Sequence, residues 1–336
     1  MRAPLFALPL ILFLILFLMG NSAPTPNPDP AFEEWLQELA SEALERGISQ
    51  GTLDLALEDV QPLPEIVALD RGQPRKPSDF CAYMKKRLTR TRIARARRVL
   101  EEEATLLAEI NHEYGVPARY IVSLWGLETN FGDYMGGHRV LDALATLAYD
   151  PRRADMFREQ IFGALQIIEE GHQQPDQMIG SWAGAMGQVQ FMPSTFLAYA
   201  VDHDGDGRKD VWGSTADSLA SAANYLRASG WRSGENWGRQ VKLPSELESA
   251  SAELGERRTL DAWQQLGVRR IDGGDLPEST LRGSIVLPKR GPGPAFLVYP
   301  NYRTFMAWNR STFFAVSVGT LADAAAGMRP FDACRS

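Results

Sequence analysis

Glu128 closes the apolar segment Tyr120 to Leu127, in which Val122, Leu124, Trp125 and Leu127 precede it, and is followed by Thr129 and Asn130. A carboxyl group walled in by apolar side chains loses the hydration of its charged form. Its pKa therefore rises, and near neutral pH it keeps a proton that it can donate to a leaving oxygen. A single Glu at the end of an apolar helix is also a common capping or surface residue, so position alone leaves both readings open. Asp133, five residues on, is the nearest candidate for a second carboxylate and reads as structural. The four histidines, His112, His138, His172 and His203, form no HExxH pair, and the chain has no phosphate loop, no dinucleotide glycine fingerprint and no GxSxG elbow. Metal-assisted hydrolysis, nucleotide chemistry and serine acyl transfer thus lose their usual support.

The elements that must position Glu128 are mostly helical. Pro117 suits the first turn of the segment that carries it. Residues 80–114 hold helix formers almost without interruption, with Leu100, Leu107 and Ile110 among the apolar positions, and Gly115 and Pro117 stop them. Phe32, Trp35, Leu36, Leu39 and Ala43 recur at helical spacing, and further helices fit 139–148, 153–171, 193–200 and 215–229. Proline and glycine punctuate 61–78, which reads as an irregular surface wrap. Past Trp231 the runs Ser284 to Leu287, Phe296 to Tyr299 and Phe313 to Val318 have β-branched and aromatic content between turns. The expected class is α+β and mainly helical, with a small β-containing subdomain at about 235–300.

The chain has 336 residues, 44% apolar and 10% aromatic, enough for a large core. Its net charge of −7 argues against a nucleic-acid partner. One stretch is nonetheless strongly basic: Lys85, Lys86, Arg87, Arg90, Arg92, Arg95, Arg97 and Arg98. It reads as a solvated helix face balanced by Glu101 to Glu103, or else as an anionic-ligand site. Residues 1–23, with Arg2, a charge-free run from Ala3 to Met19 and the small residues Gly20 to Ala23, have the layout of a secretory signal. Pro4 and Pro9 within the run and Pro24 just past the obvious cut keep a retained membrane anchor as the alternative. Residues 24–31 read as a linker, 32–330 as the folded region and 331–336 as a tail. An oxidising compartment would allow Cys81 and Cys334 to pair, which sequence does not decide.

Three strings narrow the chemistry. VSLWGLETNFGDYMG, SWAGAMGQVQFMPSTF and DHDGDGRKDVW stand in one order and register, and together the chain resembles the soluble and membrane-bound lytic transglycosylases of the B type over most of residues 30–325. The resemblance implies a lysozyme-like core in which Glu128 protonates the bond between N-acetylmuramic acid and N-acetylglucosamine. The same residue then acts as base toward the muramic acid's own O6, giving a 1,6-anhydro end without water. By motif matching, Ser181, Gln190, Tyr225 and Asn309 should line the groove. Arg152 and Arg153 should meet peptide carboxylates, and Tyr83 is a further groove position. Met156, Trp308 and Phe314 stand where tyrosines are expected, so the groove should lose hydroxyl donors and keep apolar faces. The implied partner is the peptidoglycan glycan strand, with wall-synthesis proteins as a further class. The implied place is the periplasm, with membrane contact only if the N-terminal segment is retained.

Asp202, Asp204, Asp206 and Gly207 reproduce the opening of an EF-hand loop, and position seven would offer the Arg208 carbonyl. The twelfth position is Gly213 and not Glu. Asp210 or, as the family's loop with its late aspartate implies, Asp217 must close the shell. The expectation is a structural Ca2+ and no cofactor for catalysis, against a solvated acidic turn. Two other functions stay open at this point: an ordinary peptidoglycan or chitin hydrolase, which needs a water-activating carboxylate, and a non-catalytic glycan-binding scaffold.

Overall fold

A computed structural model describes residues 30–72, 79–248, 256–288, 293–328 and Cys334. The expected signal or anchor, the linker up to residue 29 and the tail apart from Cys334 lie outside them. Among the described residues no helix is long and apolar enough to cross a membrane.

The centre of the molecule is the helix Ala118–Thr129. Gly115, at φ +70°, ends the preceding helix Ala104–Tyr114, and Pro117 enters the next one with an extended backbone. Every residue from Tyr120 to Leu127 is buried. A helix apolar all round needs neighbours on every side, and here Thr312–Ala325, Arg90–Glu102, Ala104–Tyr114 and Thr215–Ala228 supply them. Outside this group, Val140–Tyr149 packs on Ala154–Glu169, which in turn carries Pro193–Tyr199.

Three readings of the sequence are corrected. The basic run 80–114 is three helices, Phe80–Arg87, Arg90–Glu102 and Ala104–Tyr114. Intrinsic propensity favours helix throughout, but the Thr89 hydroxyl accepts from the Arg92 N–H at 3.2 Å and so caps a new start. In the supposed wrap, Pro64–Gly72 is helical with proline at its first position, while 73–78 lie outside the described residues. Phe313 to Val318 is not a strand; it opens the buried helix Thr312–Ala325, capped by Ser311. A continuous apolar run reads alike as buried strand or buried helix, and here its length and cap decide for helix.

The small sheet is antiparallel with five strands in the order Arg258–Thr259, Arg282–Val286, Ala295–Val298, Gly238–Lys242, Arg269–Arg270. It has its own core around Trp263, Leu260, Val268 and Leu297. Buried Asn301 closes its base: its side chain accepts from the Arg232 N–H at 2.7 Å and donates to the carbonyls of Arg232 and Glu235. A two-stranded ribbon, His138–Arg139 with Ile179–Gly180, lies apart from it.

Cys81 and Cys334 form a disulfide across 253 residues, with Cα atoms 5.3 Å apart. It ties the helix Phe80–Arg87 to the C-terminal end of the chain. Such a cross-link restricts the unfolded ensemble. Replacing both cysteines by serine should lower the unfolding free energy by about 2–4 kcal/mol, and the same loss should follow reduction of the wild type, both read from urea titrations. Coincident curves for oxidised and reduced protein would contradict the bridge.

Candidate active site

The last turn of Ala118–Thr129 is built to present Glu128. Gly126 leaves room for the Phe131 ring, since a Cβ there would sit 2.6 Å from it. Asn130 and Phe131 both adopt positive φ, +55° and +62°, folding the chain back over Trp125. Thr129 locks the turn: its hydroxyl donates to the Gln188 carbonyl at 2.7 Å and accepts from the Gly132 N–H at 3.0 Å. Gly136, at φ +115°, lies so close to the Gly180 carbonyl that any Cβ would collide with it. The ends of the first two sequence strings are thereby pressed together, and Ser181 follows Gly180 directly.

Glu128 as a residue is half-buried. Burial of its carboxyl pushes the pKa up to about 7, against smaller opposing effects from the Trp308 hydrogen bond and the Arg87 charge. Trp308 donates its indole N–H to Glu128 Oε1 at 2.8 Å. Trp308 is the last residue of the helix Tyr302–Trp308, and its ring is wedged among Tyr225 at 4.9 Å and Phe191 at 5.3 Å between centroids. Tyr225, on Thr215–Ala228, also meets Tyr199 edge-on at 4.9 Å. Where the sequence suggested a lost donor at 308, the indole supplies one.

The basic stretch has a use that neither sequence reading named. Arg87 donates to the Leu127 carbonyl at 3.0 Å, Arg92 to that of Arg87 at 2.5 Å, and Arg97 to that of Ala324 at 2.8 Å. Each fills an acceptor in the last turn of a helix, where intrahelical partners run out. Arg95 pairs with Asp133, Nη2 to Oδ1 at 2.8 Å, and lies over Phe131. That bond holds the Asp133 carboxyl below its usual range, and Asn130 adds a hydrogen bond at 2.9 Å. Lys85, Lys86, Arg90 and Arg98 remain exposed.

The other anticipated residues fall in different surroundings. Tyr225 packs, together with Phe191, against Trp308. Tyr83 packs against Phe313 and lies under the Arg87 guanidinium, 5.4 Å away. Ser181 and Gln190 shape the backbone: the Ser181 hydroxyl accepts from the Ala185 N–H at 3.0 Å, and the Gln190 amide donates to the carbonyls of Met135 and Gly187. Gln190 itself sits at φ +54°. Asn309 is exposed just past Trp308. Arg152 and Arg153 both bind the carboxylate of buried Asp70, a partner with no signal in the sequence. Of the expected tyrosine positions, Met156 is exposed and Phe314 is buried in the core.

In the acidic loop, Asp202, Asp204 and Asp217 bring carboxylate oxygens within 4.8 Å of one another. Asp217 is buried and orders the loop: Oδ1 accepts from the His203 N–H at 2.8 Å and Oδ2 from the Asp210 N–H at 2.7 Å. Asp206 and Asp210 turn elsewhere, accepting from the N–H groups of Arg208 and of Trp212 and Gly213. The late aspartate, Asp217, is the one that joins the cluster.

A family model described as the transglycosylase SLT domain matches residues 31–323. This chain belongs to that family. The membrane-bound lytic murein transglycosylase B of Escherichia coli K12 is 35% identical over 227 residues, which are 63% of this chain and 58% of that protein, so the chain spans well under two thirds of this curated relative. SltB3 of Pseudomonas aeruginosa, solved in complex with NAG-anhNAM-pentapeptide, superposes with a TM-score of 0.85 at 43% identity, covering 88% of this chain and 80% of that one. It has also been solved with NAG-NAM-pentapeptide. Slt35 of E. coli, solved in complex with calcium, gives a TM-score of 0.75 at 28% identity, covering 89% and 93%. The mainly helical fold with its small antiparallel sheets is that of these lysozyme-like lytic transglycosylases.

Burial of the Glu128 carboxyl carries a stability cost with a definite sign. Between about pH 4.5 and 7 the folded state holds a proton that the unfolded state has released, so this group's contribution to stability is full below 4.5 and is lost as pH rises through 7. Glu128→Gln should therefore raise the melting temperature at pH 8 by roughly 3 °C or more and leave it unchanged at pH 4, measured by calorimetry. An equal effect at both pH values would contradict the raised pKa.

Proposed function

We propose that this protein is a lytic transglycosylase acting on the β-1,4 bond between N-acetylmuramic acid and N-acetylglucosamine in peptidoglycan. The observation that carries the reading is the Glu128 carboxyl at the end of the central helix, shielded and poised near neutrality, while the carboxylate nearest in sequence, Asp133, is committed to Arg95. Family membership supports it, as do the muropeptide ligands of SltB3.

In the reaction, protonated Glu128 gives its proton to the glycosidic oxygen as the bond to C1 breaks. The carboxylate so formed takes the proton of the muramic acid O6 hydroxyl, and O6 bonds to C1. One proton leaves and one returns, so Glu128 ends as it began and no water enters the product. This departs from the two-carboxylate scheme of most glycosidases. A groove lined by Tyr225, Asn309, Ser181 and Gln190 would hold the sugars. Arg152 and Arg153, partly exposed while Asp70 holds them, suit a stem-peptide carboxylate. The disulfide suits an oxidising compartment, in keeping with the periplasm.

Digestion of isolated sacculi with wild type and Glu128→Gln, read by mass spectrometry, tests the reading. The wild type should release muropeptides with 1,6-anhydro ends, and the variant should lose activity on the order of 10²–10⁴-fold. Reducing ends, about one water heavier, would instead identify a hydrolase.

The acidic loop is proposed as a structural Ca2+ site. Its donors are hard oxygens, Asp202, Asp204 and Asp217 already converge, and Slt35 was solved with calcium. Asp202, Asp204 and Asp217 would hold the ion, with the Arg208 carbonyl as a further donor. An ion that binds only the folded state raises the unfolding midpoint. Calcium should raise the melting temperature by a few degrees relative to chelator in the wild type and not in Asp217→Asn. Equal midpoints with calcium and with chelator in the wild type would remove the site.

A further inference from the structure

We infer that Trp308 is a positioning residue for Glu128: its indole N–H holds Oε1 and leaves Oε2 as the oxygen that exchanges the proton with substrate. The inference deepens the transglycosylase reading and rests on it. A carboxylic acid has two oxygens, and only one can carry the proton toward a leaving group. In a carboxylic acid the carbonyl oxygen is the better acceptor of the two, so the 2.8 Å contact from Trp308 Nε1 to Oε1 favours Oε2 as the oxygen that carries the proton.

The indole is itself fixed. Tyr225 meets it nearly perpendicular, at 73°, and Phe191 packs at 5.3 Å, so the donor does not swing away when the acid changes charge. The helix Tyr302–Trp308 ends at this residue, with the Asn309 N–H bonded to the Phe305 carbonyl at 2.9 Å. A rigid donor suits a catalyst that must lose a proton and regain it at the same atom. In the acid state Oε1 is a neutral acceptor; in the carboxylate state the same N–H becomes a charge-assisted bond and stabilises the anion. No reorientation is needed between the two half-reactions. Among the described residues Arg87 is the charge that acts on the carboxyl, and its guanidinium is tethered to the Leu127 carbonyl. Tyr225 is the other titratable group against the indole, and burial keeps its hydroxyl protonated above the usual range.

The test has one arm that needs no activity. In protein labelled with 15N-tryptophan, the indole resonance that disappears in Trp308→Phe should titrate with a midpoint near 7 in the wild type and be flat in Glu128→Gln. In the kinetic arm, loss of the donor disfavours the carboxylate, so the alkaline limb of kcat/KM on sacculi should move up by about one pH unit in Trp308→Phe. Trp308→Tyr, which restores a donor on an aromatic ring, should bring it back toward wild type. A wild-type indole resonance that does not respond between pH 5 and 9, or a Trp308→Phe enzyme with raised KM and an unmoved limb, would overturn the inference. If the resonance titrates but the products carry reducing ends, the contact stands and the transglycosylase reading is the part that fails.

Discussion

Hydration opposes the burial of an ionisable carboxyl, and the region around Glu128 is organised by that opposition. Glu128 sits at the C-terminal end of its helix, where the backbone dipole also disfavours a negative charge. Left to these two effects, the acid would hold its proton well above neutrality and be a poor base. Trp308 and Arg87 act the other way, one by a hydrogen bond and one by charge. The balance near 7 therefore belongs to three groups on three chain segments and not to the glutamate alone. Arg87 also satisfies the Leu127 carbonyl, so a single guanidinium both closes the helix end and tempers the acid beside it.

The buried helix beneath Glu128 explains much of the surrounding sequence. An element with no solvated face tolerates few polar groups, and its serine and threonine hydroxyls are bonded to backbone carbonyls. Ser123 donates back to the Arg119 carbonyl, and Thr129 fastens the far end to Gln188. Four arginines of the neighbouring run, Arg87, Arg92, Arg95 and Arg97, are spent on carbonyls and on Asp133. A charge run that looked like a surface feature is in three of its eight members a set of clamps on helix ends.

This bears on what was legible in the chain. The apolar run before Glu128 left a capping and a catalytic reading open, and the motif strings around it singled out the second. The fold class followed from periodicity and from stops such as Gly115 and Pro117. Trp308 stood out only as a departure from an expected tyrosine, and its bond to Glu128 was not legible. Its contact lies 180 residues from Glu128, and nothing in a tryptophan's neighbours announces which way its N–H will point. Asp70 was invisible for the same reason, since its two arginines lie some eighty residues away. Phe313 to Val318 was misread because an apolar run has no period when every face is buried. The disulfide was open because pairing is a distance in space, and only the fold brings Cys81 to Cys334.

The acidic loop and the surroundings of the Glu128 carboxyl are separate in chemistry but share one helix. Asp204 accepts from the hydroxyl of Ser214, and Ser214 caps Thr215–Ala228 by accepting from the Asp217 N–H at 3.1 Å. Asp217, in the first turn, gathers the loop; Tyr225, eight residues later, braces Trp308. At the usual rise, the two lie about 12 Å apart along the axis. Fixing the first turn of a short helix limits the fraying of the whole, because nucleation is the costly step. On the calcium reading, an ion at Asp202, Asp204 and Asp217 would thus act on catalysis without meeting the substrate. It would hold the helix that holds the tyrosine, which holds the indole against the acid.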